Sequence, residues 1–158
     1  MKKFIIVSIV LLMLAGFAIT SSAQPLTLWA GQNIDVGTLT VEIVGVNLVV
    51  TYTITALEWE LGDTHLYVGT VAPTKSAPGR FPYGPEDATG GVYTIPLTDF
   101  GGVFPLYIAA QAEVKKQIGV DPDTGEPIYQ EETVWAEGLE IRPDKNWAMY
   151  FTFEVAVP

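Results

Sequence analysis

The chain has 158 residues, of which eighteen are acidic and eight basic, for a net charge of −10, and it has no cysteine. That charge excludes nucleic acid and anionic lipid as partners. The missing cysteines exclude disulfide stapling, so a small core must be held by packing, metal or neighbouring subunits.

Residues 1–23 read as an export signal. Lys2 and Lys3 form a positive n-region, Phe4 to Ile19 is a nearly unbroken apolar run, and Ser21-Ser22-Ala23 offers small residues for a cut before Gln24. The run is shorter than the roughly 20 residues of a spanning helix. A membrane attachment would therefore arise only if the segment stayed uncleaved. The expected product is a secreted, extracellular or cell-envelope protein, with residues 24–158 forming one domain of 135 residues. Its six basic against eighteen acidic residues give a net charge of −12.

The mature region reads as strands throughout. Thr38 to Val44 alternates, with Leu39, Val41 and Ile43 on one face, and Val46 to Leu57 is dense in β-branched and aromatic residues. Gly45 between them suits a hairpin turn or a bulge. His65 to Val71 is a further short strand. Residues 72–91 hold four prolines and four glycines, which no ladder accommodates, so a long ordered loop anchored by Phe81 and Tyr83 is expected. Val92 to Leu97 resumes extended structure.

Leu106 to Gln117 has the composition of a helix, but Leu106, Ile108, Ala110, Ala112 and Val114 alternate with polar neighbours, which favours a strand. A turn through Gly119–Gly125 returns the chain along Ile128 to Ala136, where Lys115 and Lys116 would face Glu131 and Glu132. Ala148 to Val157 is the last strand. About eight strands without a convincing helix predict an all-β protein, a single antiparallel β-sandwich of Ig-like or jelly-roll-like kind.

Catalytic candidates are few. His65 is the only histidine and Ser76 the only serine of the mature chain, so a zinc site of several histidines or a nucleophilic triad lacks its parts. Glu58 and Glu60 would share a strand face about 7 Å apart, a carboxylate spacing that glycoside hydrolysis uses but that any acidic sheet also offers. Asp121, Asp123 and Glu126 form an oxygen-rich loop, a tentative calcium site. The loop departs from an EF-hand, because Gly125 falls at position five rather than six, and a plain hairpin turn is the preferred explanation. Most of the tryptophans and tyrosines belong to a core. Trp59, between two glutamates, and Tyr83, in the long loop, are the candidate ligand-binding aromatics.

Several strings carry a resemblance as a set: Trp29-Ala30-Gly31-Gln32, Thr64-His65-Leu66-Tyr67-Val68-Gly69, Pro78-Gly79-Arg80-Phe81-Pro82-Tyr83, Tyr107-Ile108-Ala109-Ala110, Glu132-Thr133-Val134-Trp135-Ala136 and Asn146-Trp147-Ala148-Met149-Tyr150-Phe151. With them the mature chain resembles a β-rich module that recurs in uncharacterised secreted and surface proteins of bacteria and archaea. The resemblance implies an extracellular β module and supplies no catalytic residues. The expected function is that of a non-enzymatic structural or adhesion subunit, self-associating by strand pairing through Leu26–Ala30 or the C-terminal strand, or joining another surface protein. The alternative is a carbohydrate- or calcium-binding module.

Overall fold

The computed structural model describes residues 25–155, so the predicted signal segment and the last residues of the predicted final strand lie outside the described residues. The described chain is all-β. Its strands are β1 (Leu26–Ala30), β2 (Ile34–Val44), β3 (Asn47–Ile54), β4 (Trp59–Gly69), β5 (Ala88–Thr89), β6 (Val92–Pro96), β7 (Leu106–Val120), β8 (Pro127–Ala136), β9 (Leu139–Glu140) and β10 (Met149–Phe153). They form one continuous antiparallel ladder in the order β5-β6-β3-β2-β1-β8-β7-β10-β9, with β4 added to β7.

The long strand β7 organises this ladder. One edge pairs with β4 from Tyr107 to Lys116, and the other pairs with β8 from Gln111 to Val120 and with β10 from Leu106 to Ile108. The alternation that favoured a strand over a helix is real: Leu106, Ile108, Ala110, Ala112 and Val114 are all buried in the main core. Leu39, Val41 and Ile43 enter the same core from β2. At Gly45 the chain makes a two-residue turn closed by the pair Val44–Asn47, with the glycine at a φ of 62° that suits such a turn.

The sheet curls over this core without closing. On the far edge of β4, Leu66 exchanges backbone hydrogen bonds with Tyr83 (2.9 and 3.2 Å). From Tyr83 the chain passes through a short 3-10 turn, Pro85–Asp87, into β5 on the edge of β6. Residues 83–89 thus run from one open edge of the sheet to the other. A buried side chain completes the join. The Tyr93 hydroxyl lies 2.8 Å from Thr64 Oγ1, 2.9 Å from the Thr64 carbonyl and 3.1 Å from the Gly84 carbonyl.

Two local expectations are corrected. The strand predicted to run to Leu57 ends at Ile54, because the N–H groups of Thr55 and Ala56 both turn to the Val36 carbonyl and Glu58 takes a φ of 68°. Glu58 therefore sits in a turn and does not share a strand face with Glu60. The lysine pairing also differs. Lys115 does stand opposite Glu131, but its ion pair is with Glu60 (3.7 Å), and Lys116 pairs with Glu58 (3.0 Å) on the other side of β7. Both are solvent-exposed contacts, worth at most about 1 kcal/mol each.

Burial pushes the Tyr52 phenol well above its ordinary value of 10.0, with the neighbouring Tyr93 adding to the effect. Burial also raises Tyr93, Tyr83 and Tyr67. The unfolded chain therefore ionises these groups first as pH rises. Stability should hold steady up to about pH 10 and then fall as pH climbs through the raised folded-state values. Urea midpoints measured from neutral to strongly alkaline pH check this, and Tyr52→Phe should flatten the alkaline limb.

Candidate functional site

The outer face of the β4-β7-β8 segment carries a polar ladder that the sequence would leave in water. Strand register sets His65, Gln111 and Trp135 in one row, with Glu113 beside Thr133 in the next. Yet Gln111 is only 2 % exposed and Trp135 only 4 %. Two irregular segments account for this, one following β4 and one preceding β10. Phe81 of the first and Trp147 and Ala148 of the second pack with Ala109, Trp135 and Tyr67 as a separate apolar cluster on the outer face. Edge-on contacts run from Tyr67 to Phe81 and from Phe81 to Trp135, both at 6.1 Å between ring centroids. Asn146 ties the segments together, its Nδ2 donating to Ser76 Oγ at 2.7 Å while its Oδ1 accepts from the Ala148 N–H at 3.3 Å.

Between this cover and the sheet lies a groove of ≈ 260 Å³. Gln111, Glu113, Thr133 and Trp135 form its floor, and Ser76, Pro78, Asn146 and Trp147 form its wall. The floor is held by a chain of hydrogen bonds. His65 Nδ1 lies 3.0 Å from Gln111 Oε1. That oxygen only accepts, so His65 carries its proton on Nδ1. Gln111 Nε2 donates to Glu113 Oε1 at 2.7 Å and to the Ala112 carbonyl at 3.1 Å. Thr133 Oγ1 donates to both Glu113 oxygens, at 3.3 and 3.5 Å. The Glu113 carboxylate is thus fixed in place with acceptor capacity left for a ligand. No hydrogen bond reaches the Trp135 indole N–H from the described residues, and no fully buried side-chain polar atom among them lacks a partner. Trp135 itself lines the groove. Glu113 also lines a separate hollow of ≈ 370 Å³, together with Gly62, Asp63, Lys115 and Glu131.

The residues singled out from sequence lie elsewhere. Trp59 is half-buried against the main core, and so is Tyr83, whose phenol is raised first by burial and then by the charges of Asp99 and Asp87. Asp121, Asp123 and Glu126 occupy the turn of the β7–β8 hairpin. Asp121 Oδ1 accepts the N–H groups of Asp123 (2.8 Å) and Thr124 (3.0 Å), which holds its carboxyl below the usual carboxylate range. One oxygen of that loop is therefore engaged by the turn itself. Among the described residues no group of three or more His, Asp or Glu side chains is placed to hold a metal ion. Also among the described residues, no helix is long and apolar enough to cross a membrane.

The chain matches no protein-family model, no curated protein and no solved structure.

Proposed function

We propose that the protein is a non-enzymatic adhesion module that works outside the cytoplasm and holds a neutral carbohydrate chain in the outer-face groove. The observation that carries this reading is the pairing, in one open groove, of the indoles of half-buried Trp147 and Trp135 with a pre-fixed carboxylate and hydroxyl, Glu113 and Thr133. A pyranose presents an apolar C–H face and a rim of hydroxyls. An indole surface suits the first, and fixed acceptors and donors suit the second. The acidic surface favours a neutral sugar over an anionic one. Binding is preferred over hydrolysis because Glu113 is the one carboxylate lining the groove, where glycoside hydrolysis uses two. The location outside the cytoplasm is supported by the signal-like residues 1–23. In this reading the curled sheet serves as a β-sandwich scaffold, its two halves facing each other across one core.

Titrating residues 24–158 with neutral oligosaccharides of four or more pyranose units tests this. Tryptophan emission should shift on binding. Trp147→Ala should weaken the affinity at least about tenfold and Glu113→Gln several-fold, as expected for a groove anchor and its polar partner. Trp59→Phe should change nothing. The absence of any emission or melting response to a panel of β- and α-linked gluco-, manno-, xylo- and chito-oligosaccharides up to about 10 mM, a weak-binding ceiling near 3 kcal/mol, would remove the reading.

A second reading, self-association as a structural subunit, is favoured by the hairpin β7–β8. Its tip exposes Ile118, Val120, Ile128 and Tyr129, and β8 pairs with β1 only from Val134 to Ala136, which leaves the edge before it open. Strand pairing through Leu26–Ala30 or the C-terminal strand would have to proceed by exchange, because both strands are engaged within the chain. Leu26–Ala30 lies between β2 and β8 with both edges engaged, and β10 is paired with both β7 and β9.

A further inference from the structure

The geometry points to a head-to-tail contact between copies of this chain, in which the acidic, apolar tip of the β7–β8 hairpin of one copy seats in a basic-rimmed hollow of the next. The inference rests on the self-association reading and names the contact that carries it. It is independent of the groove.

The tail is a hollow of ≈ 600 Å³ beside the far end of β4, with walls from Tyr67, Val71, Pro73 and Phe81 and with Lys75 and Arg80 at its rim. The mature chain has only six basic residues. Two of them sit at this one apolar hollow, both exposed, and neither makes an ion pair among the described residues. Two others, Lys115 and Lys116, are already paired within the chain. In a molecule of net charge −12, two unpaired cations around an apolar hollow select an occupant that is both apolar and acidic.

The head has that chemistry. Ile118 is 59 %, Val120 55 %, Ile128 43 % and Tyr129 39 % exposed, four apolar side chains at one hairpin end, with Tyr129 on the opposite sheet face from Ile128 and under the Lys115 ammonium. Asp123 and Glu126 lie in the turn between them, both exposed. The turn is rigid, closed by the Asp121 N–H to the Glu126 carbonyl (2.7 Å) and the Gly125 N–H to the Asp121 carbonyl (2.8 Å). An ordered tip loses little freedom on docking.

The two features cannot meet within one molecule. The hollow adjoins Tyr67, which pairs with Ala109, while the tip begins at Val120 of the same strand. Eleven residues of extended chain separate them by about 35 Å. Head and tail therefore lie at opposite ends of β7. A contact between two different patches of this kind is heterologous and continues into rings or open filaments rather than stopping at a dimer.

The test is the mass of residues 24–158 by sedimentation or light scattering across a concentration series, with charge reversal at each end. The native chain should associate increasingly toward about 1 mM, a weak contact near 4 kcal/mol, and less so at high salt. Lys75→Glu with Arg80→Glu should weaken association at least tenfold, and Asp123→Lys with Glu126→Lys should do the same. All four side chains are exposed, so both variants should melt like the parent. An equimolar mixture of the two should associate again, because each variant's tip then matches the other's hollow. A native chain that stays monomeric throughout would overturn both the contact and the self-association reading. Association that survives either reversal undiminished, or a mixture that fails to recover it, would overturn the contact while leaving self-association standing.

Discussion

Replacing Tyr93 by phenylalanine is expected to cost about 2–4 kcal/mol and to loosen residues 83–89 before the rest of the sheet melts. The substitution deletes one oxygen and leaves the ring volume in place, so no cavity opens. What is lost is the buried side-chain junction that links β6 directly to β4 and to the segment spanning the gap. Tyr93 is fully buried on β6, and its hydroxyl meets Thr64 of β4 at both side chain and carbonyl, and Gly84 in the segment that spans the gap. Thr64 is itself 3 % exposed, so water does not replace the missing partner. Two carbonyls and a hydroxyl are then left short of hydrogen bonds, at about 1–3 kcal/mol for each group left unpaired, with the two carbonyls sharing one proton. Tyr52→Phe provides the comparison. Its hydroxyl makes a single bond, to the His65 carbonyl at 3.2 Å, and its loss should cost about 1 kcal/mol. Chemical denaturation of both variants measures the difference. Hydrogen exchange at Leu66 and Tyr83, whose N–H groups form the bridge at this edge, reports whether the gap opens first. Equal costs for the two variants would mean that the junction closes nothing.

The fold class was legible because β patterning is local. The alternation of Leu106 to Val114 survived a helix-like composition because every second residue had to reach the core, and Gly45 marked its turn by supplying a positive φ. The arrangement of strands was not legible. The pairing of β4 with β7, rather than with its sequence neighbours, joins residues about fifty positions apart, and nothing in either strand names its partner. That pairing is what drew Lys115 and Lys116 to Glu60 and Glu58 instead of across the hairpin.

The groove was hidden for a related reason. Gln111 and Glu113 read as ordinary outward-facing residues, and Trp135 as core. Only the return of residues 76–81 and 141–148 over the same face turns them into a floor and a wall. Trp59 and Tyr83 stand out by their neighbours in sequence, and each packs half-buried against the main core. The aromatics at the groove, Trp135 and Trp147, come from segments joined only in three dimensions. The acidic turn was legible as a turn: Asp121 caps it through its own backbone, as the Asp-Pro-Asp-Thr-Gly pattern allows.

Gly138→Ala should damage stability and binding together, through backbone alone. Gly138 is exposed, in the link between β8 and β9, where an alanine is ordinarily harmless. Here a Cβ would stand 2.1 Å from the Tyr150 carbonyl oxygen and 2.7 Å from its carbon. Neither atom is the end of a flexible side chain, so β10 itself must move away. β10 is pinned on its other side to β7 through Phe151–Ile108 and Phe153–Leu106, and Phe153 is buried in the main core. The expected cost is about 2–3 kcal/mol, the range of an overpacked site that can relax only by shifting backbone. The displaced strand carries residues 141–148 with it, because the Ile141 N–H is bonded to the Ala148 carbonyl at 2.8 Å and Asn146 to Ser76. Trp147 then leaves its place on the groove wall. Oligosaccharide affinity, read by tryptophan emission at a temperature where the variant is fully folded, should fall at least about tenfold, as expected for Trp147→Ala. Gly45→Ala is the control. It meets nothing within 4 Å, and its cost comes only from the positive φ, about 1 kcal/mol. Its groove should bind as the parent does. If Gly138→Ala loses stability but keeps full affinity, the wall is positioned independently of β10, and the two irregular segments hold the groove without help from the sheet.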